Sequence, residues 1–510
     1  MKSKLKSLIT GLIMILPLLL LSFATPEKVS AADTDNSVKV TLHKRVFDSA
    51  QEAKKNTGEI MNDFGGTGLN GVTFKAYNVT DHYLSLRNSG ATAQDAVAAI
   101  QSDAKDSDNL PSYVGSAVAT KKTATSNSED GIAAFDNLNL KDSAHNYQTY
   151  LFVETDSPTD ITQQAAPIVL TMPIYKTSDT INHDIQIYPK NVKSTPITKD
   201  LDEASKKDLA VTLPDGSTIY NAQYGQSFGY NITVNVPWNI KDKDTFNVVD
   251  KPDTGIDIDA STVSIDGLTK GTDYTVDKKD NGYQVVFKTA SAAVQALAGK
   301  SLTITYKATL TNNATPDTAI GNTATLTIGN STDTTSTSAN GPKIYTGGAQ
   351  FVKKDSQINK NLASANLAGA KFQLVKVDSN GNIVSYATQA SDGSYTWNNS
   401  ATEATTYTSD TNGLVALKGL SYSDKLDSGE SYALLEIQAP DGYAKLDSPV
   451  KFSITKGSFD KSNEITIYNT KEGLLPSTGG KGIYIFLAIG IVIMIVAFGG
   501  YKAIKKHEEI

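Results

Sequence analysis

Two stretches of this chain repeat one series of short alternating segments in the same order, and that repetition restricts the fold more than any other feature. The first series is VTLHK (40–44), GVTFKAY (71–77), EDGIAAFDNL (129–138), YLFVET (150–155) and IQIY (185–188). The second is AQFVKK (349–354), GAKFQLV (369–375), TNGLVALKGL (411–420), YALLEI (432–437) and ITIY (465–468). Alternation with a period of two sends successive side chains to opposite faces of a strand. Gly, Asn, Asp and Pro between the pieces supply turns. Each series therefore predicts one β-sandwich. Between them, from about 194 to 342, lie longer alternating segments such as QSFGYNITVNVP, YQVVFKTA, KSLTITYKATL and NTATLTI, which predict a third. The expected fold class is all-β: three tandem Ig-like sandwiches. GNSTDTTSTSANGPKIYTGG (329–348) is polar and low in complexity and reads as a linker. TAQDAVAAIQSDA (92–104) sets Thr92 and Asp95 as a capping box and predicts a short surface helix inserted in the first sandwich. DSNGN (378–382) fits a hairpin turn better than a calcium loop.

Composition narrows the function. A chain of 510 residues is too long for one core. A net charge of −7 argues against a nucleic-acid partner. There is no cysteine, and the five histidines show no metal-ligand spacing. No Ser-His-Asp set, phosphate loop or recognisable pair of catalytic carboxylates is present, so neither an enzyme, a metal nor a cofactor is expected.

The ends carry targeting signals. Lys2, Lys4 and Lys6 precede an apolar run, and VSA at 29–31 reads as a cleavage site, so residues 1–31 are expected to be a secretory signal. Ile483–Tyr501 is apolar enough to predict a membrane span, and Lys502, Lys505 and Lys506 follow it. Just before it stands LPSTG: Leu475, Pro476, Ser477, Thr478 and Gly479. Pentapeptide, apolar segment and basic tail together resemble the LPXTG cell-wall sorting signal of Gram-positive surface proteins. The resemblance implies that a sortase cleaves between Thr478 and Gly479 and passes the Thr478 carbonyl to an amine.

The sandwiches resemble the domains of Gram-positive adhesins and pilins: Cna B-type at 32–193 and 343–471, Cna A-type at 194–342, with the sorting signal at 472–510. YPKN (188–191) resembles the motif of major pilins, which implies that the Lys190 amine attacks the acyl-enzyme carrying another copy's Thr478. One chain then holds electrophile and nucleophile, and a heterologous contact that does not close makes a fibre. Tension would enter at Lys190 and leave at Thr478, so residues before 190 lie off the load path. The family also forms intramolecular Lys–Asn isopeptide bonds assisted by a buried carboxyl. Burial lowers an amine's pKa, freeing the nucleophile. The matching residues are Lys353, Glu436 and Asn469 in the third domain, where alternation selects Lys353 over Lys354; Lys199, Asp250 and Asn322 in the second; and Lys44, Glu154 and Asn191 in the first. The first departs from the pattern: Asn191 falls three residues after Tyr188, whereas Asn469 follows Tyr468 directly.

The resemblance implies a secreted, wall-anchored pilus backbone subunit. Its partners would be other copies of itself, a pilus-specific and a housekeeping sortase, peptidoglycan, ancillary pilins and host surface ligands. A monomeric LPXTG adhesin that binds host matrix shares the domains and the sorting signal, and only Lys190 with its motif separates the two. An ancillary or base pilin would be joined once rather than in series.

Overall fold

The computed structural model describes residues 35–473 and 482–507, except positions 50, 53, 159, 178, 179, 331, 332 and 360. The expected signal segment 1–31 and the LPSTG motif lie outside the described residues. Two compact units are present, one extending to Thr346 and one beginning at Gly347. The chain is all-β with small helical parts, as its alternation predicts.

In the first domain, β1 (Ser37–His43) and β2 (Arg45–Phe47) are separated only by Lys44. The chain ends the domain on β6 (Asp184–Ile187) and β7 (Lys190–Lys193). First and last strands pair in parallel, Lys39 opposite Asp184 and Asn191 opposite Val46. The offset is 145 on either side of the Tyr188–Pro189 interruption (184 − 39 and 191 − 46), so the proline jogs the ladder without shifting its register. The facing sheet includes β3 (Thr73–Asn78) and β5 (Thr149–Asp156), while β4 (Glu129–Asn139) pairs with β1. Val40, Leu42, Phe74, Phe135 and Phe152 fill the space between the sheets.

The predicted helix forms as α2 (Ala93–Asp103), with both capping-box bonds between Thr92 and Asp95. A second helix the sequence reading did not anticipate, α1 (Thr80–Asn88), precedes it. The insertion is more than a surface helix. Val97 and Ile100 pack on Tyr77, Leu151, Val153 and Val169, covering the outer face of the second sheet. Asp108, just beyond it, pairs with Lys241 of the middle domain.

The middle domain places β8 (Ile197–Leu201), β9 (Ser227–Asn235) and β12 (Ser301–Leu310) in one sheet, and β10 (Thr245–Pro252), β11 (Gly282–Phe287) and β13 (Asn322–Asn330) in the other. The expected linker is largely a strand. β14 (Asp333–Asn340) pairs with β13 along its whole length. Thr325 and Thr327 lie 2.9 Å from Ser338 and Ser336, hydroxyl to hydroxyl. An exposed edge strand needs few apolar side chains, and β-branched threonine suits the pleat. Serine and threonine therefore look like linker in the sequence and behave as sheet here.

The third domain repeats the first. β15 (Gly347–Asp355) pairs in parallel with β19 (Ile465–Asn469) at an offset of 114 (465 − 351 and 469 − 355). β17 (Leu414–Leu420) pairs on its other side. β16 (Lys371–Val377) and β18 (Ser431–Gln438) lie in the second sheet. DSNGN closes a turn, with the Asn382 N–H donating to Asp378 Oδ1 at 2.8 Å. The apolar C-terminal segment forms α3 (Gly482–His507), but among the described residues no helix is long and apolar enough to cross a membrane. The span expected at 483–501 is thus not supported.

Candidate functional sites

Parallel pairing of first and last strands builds the same pocket twice. Lys44 and Lys353 each sit two residues before the position that faces the last-strand asparagine: Val46 faces Asn191, and Asp355 faces Asn469. A lysine stem crosses that diagonal. The carboxyl comes from the opposite sheet, where Glu154 faces Phe74 and Glu436 faces Phe372, each beside a register shift. These phenylalanines lie under the amines, ring centres 5.2 Å from Lys44 Nζ and 5.4 Å from Lys353 Nζ.

In the first domain Lys44 Nζ donates to Glu154 Oε2 at 2.7 Å and makes a very short contact with Asn191 Oδ1. Asn191 Nδ2 donates to Glu154 Oε1 at 2.8 Å. In the third, Lys353 Nζ lies 3.0 Å from Glu436 Oε1 as a charge pair outside hydrogen-bond geometry. Asn469 Nδ2 donates to Glu436 Oε2 at 3.0 Å. A loop amide fixes each carboxylate: Ala165 N–H on Glu154 Oε2 at 3.0 Å, Leu446 N–H on Glu436 Oε2 at 2.8 Å. Desolvation lowers both lysine pKa values against the opposing pull of the adjacent glutamates. Lys353 is the buried lysine of its pair, and Lys354 is only half-buried.

The departure noted for the first domain disappears in the register. The ladder aligns Ile187 with Ile465, not Tyr188 with Tyr468, and Asn191 and Asn469 both stand four residues beyond the aligned isoleucine. All three residues of the first-domain set are brought together.

The middle domain assembles its set differently. Lys199 comes from one sheet, and Asp250 and Asn322 from neighbouring strands of the other, where Pro252 faces Asn322. Lys199 Nζ makes a very short contact with Asp250 Oδ1. Asn322 Nδ2 donates to Asp250 Oδ2 at 3.2 Å. Burial pulls the Lys199 pKa down to about 8. A residue that sequence reasoning missed completes this site. Tyr306 on β12 accepts from Lys199 Nζ at 2.6 Å and from Asn322 Nδ2 at 3.0 Å.

Two glycines were also missed. Gly131 and Gly413 occupy matching places in EDG and TNG, at φ 86° and 72°. Their carbonyls accept from the N–H groups of Lys44 and Lys353. A Cβ would lie 2.3 Å from Lys44 O or 2.6 Å from Lys353 O. The repeat alignment contained both, but only the fold reveals why glycine stands there.

Lys190 sits beside Asn191 on β7, and strand alternation turns the two side chains to opposite faces. Asn191 is buried, whereas Lys190 is half-buried with Nζ donating to Glu52 O at 2.7 Å. Desolvation lowers its pKa. Tyr188 lies stacked between His43 and Phe64, and its hydroxyl accepts the Met61 N–H at 2.9 Å, fixing the loop that contains Glu52.

Comparison with known proteins gives four family matches. Residues 35–192 match the Gram-positive pilin subunit D1 N-terminal domain, and 210–340 the Sgo0707 N2 domain. Residues 347–471 match the prealbumin-like fold domain SpaA, and 467–509 the LPXTG cell wall anchor motif. A curated relative, the fimbrial subunit type 2 of Actinomyces naeslundii, is 24% identical over 92% of this chain and 90% of its own. The full-length RrgB pilus protein of Streptococcus pneumoniae shares the fold at a TM-score of 0.52 and 16% identity, covering 87% of this chain and 99% of that one. The major pilin SpaD of Corynebacterium diphtheriae aligns at a TM-score of 0.44 and 22% identity, over 87% of this chain and 100% of its own.

Proposed function

This chain belongs to the Gram-positive sortase-assembled pilins, and from that premise we propose that it is a repeating backbone subunit joined head to tail through Lys190 and Thr478. It is secreted, wall-anchored and displayed in a surface pilus. The observation that carries the backbone reading is the geometry of β7. Neighbouring residues there turn one lysine outward and one asparagine into the core. The half-desolvated Lys190 amine donates to the Glu52 carbonyl, which a bound acyl-enzyme can displace.

Each domain closes one intramolecular isopeptide bond: Lys44–Asn191 with Glu154, Lys199–Asn322 with Asp250, Lys353–Asn469 with Glu436. Nζ attacks the asparagine Cγ, Cγ–Nδ2 breaks and ammonia leaves. These are single events per bond, and the chain is a structural subunit without turnover. The domains run 32–193, 194–342 and 343–471, the sorting signal 472–510. The partners are further copies, the polymerising sortase, the housekeeping sortase that transfers the fibre to peptidoglycan, ancillary pilins and host surface ligands.

A denaturing blot of wall extracts tests the polymer. Wild type gives a boiling-resistant high-mass ladder, and Lys190→Ala collapses it to monomer. A single band in both strains would return the chain to a wall-anchored monomeric adhesin, and a ladder that survives would move the nucleophile to another lysine.

A further inference from the structure

The three buried sites are not chemically equal. In the outer domains a glutamate bridges amine and amide nitrogens over a phenylalanine ring, which offers no proton. The middle domain has an aspartate, one methylene shorter, whose reach to the amide nitrogen is 3.2 Å against 2.8 and 3.0 Å for the glutamates. There a second group spans the same two nitrogens. Tyr306 O lies 2.6 Å from Lys199 Nζ and 3.0 Å from Asn322 Nδ2, and after burial the nearby Asp250 carboxylate further raises the phenol's pKa. Two further buried tyrosines crowd this site, Tyr230 and Tyr283, with ring centres 5.6 and 5.0 Å from that of Tyr306. Neither of their hydroxyls makes a hydrogen bond among the described residues.

We infer that Tyr306 is a catalytic residue of the middle domain's isopeptide bond, relaying the proton that passes from Lys199 Nζ to Asn322 Nδ2. The inference rests on the isopeptide reading proposed above. The neutral amine attacks Cγ and the new nitrogen becomes acidic. Collapse then requires one proton on Nδ2, so that ammonia rather than an amide anion departs. An amide nitrogen is a poor base, and in the resting site the phenol oxygen accepts from both nitrogens. In the tetrahedral adduct Nδ2 becomes an amine. The O–H turns to it and delivers its proton while the oxygen takes one from Nζ. Nζ–Cγ forms, Cγ–Nδ2 breaks, one proton has moved, and Tyr306 and Asp250 end as they began. Burial holds the phenol pKa well above its ordinary value, so it enters the step protonated. Proton transfer by a placed side chain contributes roughly a hundredfold or more to rate.

The test uses the secreted chain without its sorting signal, digested and analysed by mass spectrometry for the branched Lys199–Asn322 peptide lacking one ammonia. Wild type carries it in full. Tyr306→Phe, which places at this site the ring that Phe74 and Phe372 already place under the other two amines, is expected to retain free Lys199 and Asn322. Closure should be slowed by roughly a hundredfold, with the bonds at 44–191 and 353–469 intact. Tyr283→Phe removes a phenol that touches neither nitrogen and should close like wild type. Equal closure in Tyr306→Phe and wild type overturns the relay, as does equal slowing in Tyr283→Phe, which would make the effect one of packing. Should Tyr306→Phe not fold, 3,5-difluorotyrosine at 306 keeps the shape and makes the phenol more acidic, and an unchanged closure rate there overturns the relay too. If wild type itself lacks the branched peptide, it is the isopeptide reading of this domain that fails.

Discussion

The outer domains and the middle domain reach the same trio of residues by different routes. In the first and third, lysine and asparagine lie on strands already paired in parallel, and only the carboxylate crosses the sandwich. A bond there reinforces an existing ladder. In the middle domain the lysine alone crosses, and the bond joins two sheets that share no strand ladder. The difference teaches that the trio does not define one architecture. A cross-link can double a backbone ladder or staple two layers, and the two should fail differently.

Lys199→Ala should have the largest effect. It opens a loop of 123 residues (322 − 199), worth about 5 kcal/mol by the disulfide analogy. It also strands Asp250 in the core, at a cost of roughly 3–5 kcal/mol that the outer-domain variants share at Glu436 and Glu154; what sets it apart is the loss of the only proposed covalent tie between the two sheets. In calorimetry the middle domain's transition should fall furthest while the other two stay in place. A loss no greater than that of Lys353→Ala would break the distinction between stapling and doubling.

Lys353→Ala and Lys44→Ala open loops of 116 and 147 residues (469 − 353 and 191 − 44), each again about 5 kcal/mol. They should nonetheless separate under force. Pulled between Lys190 and Thr478, the Lys353 variant unfolds its domain at lower load, whereas the Lys44 variant matches wild type because its loop closes outside the load path.

The amine of Lys199 gives a smaller, pH-dependent effect. In Asn322→Ala, which cannot close the bond, the folded pKa of about 8 lies below the ~10.4 of an unfolded lysine. The unfolded chain binds more protons between those values, so stability rises with pH across that window, by roughly 3 kcal/mol in all, and is lowest below pH 8. Urea titrations at pH 7 and pH 10 read it, and a flat profile would deny the burial.

Gly413→Ala and Gly131→Ala should cost least, roughly 1–3 kcal/mol each from the strained φ and the clash with the lysine carbonyl. Slower closure of the adjacent bond accompanies that loss, and the branched-peptide assay detects it.

Much of this was legible in the sequence. Alternation placed Lys353 inward, and the repeat supplied Glu154 and Glu436 as equivalents. Matching IQIY to ITIY misled by two residues, because similarity of letters cannot sense a ladder that runs unbroken through Tyr188–Pro189. The strand at 333–340 was missed because polarity on an exposed edge imitates a linker. Tyr306 sat in an obvious strand, LTITYKATL, where alternation turns it inward, yet nothing local says that its hydroxyl meets two nitrogens from the opposite sheet and its own.

The hairpin of β13 and β14 has a consequence of its own. The proposed middle-domain bond ends at Asn322, the first residue of β13, and the next closed loop begins at Lys353. Everything from Thr323 to Asn340 therefore lies outside both covalent loops. It is held by the full ladder of β13 on β10, by the buried Ala324, Leu326 and Ile328, by the Gly341 N–H on Asn322 O at 2.9 Å and by an edge of hydroxyl pairs. In a thread bridged by the proposed covalent bonds, this is a stretch held by non-covalent contacts alone. Its 18 residues (340 − 322) hold roughly 60 Å of extended chain, which a pull through Lys190 and Thr478 would release as one step of that length once β13 peels from β10, with the proposed loops still closed.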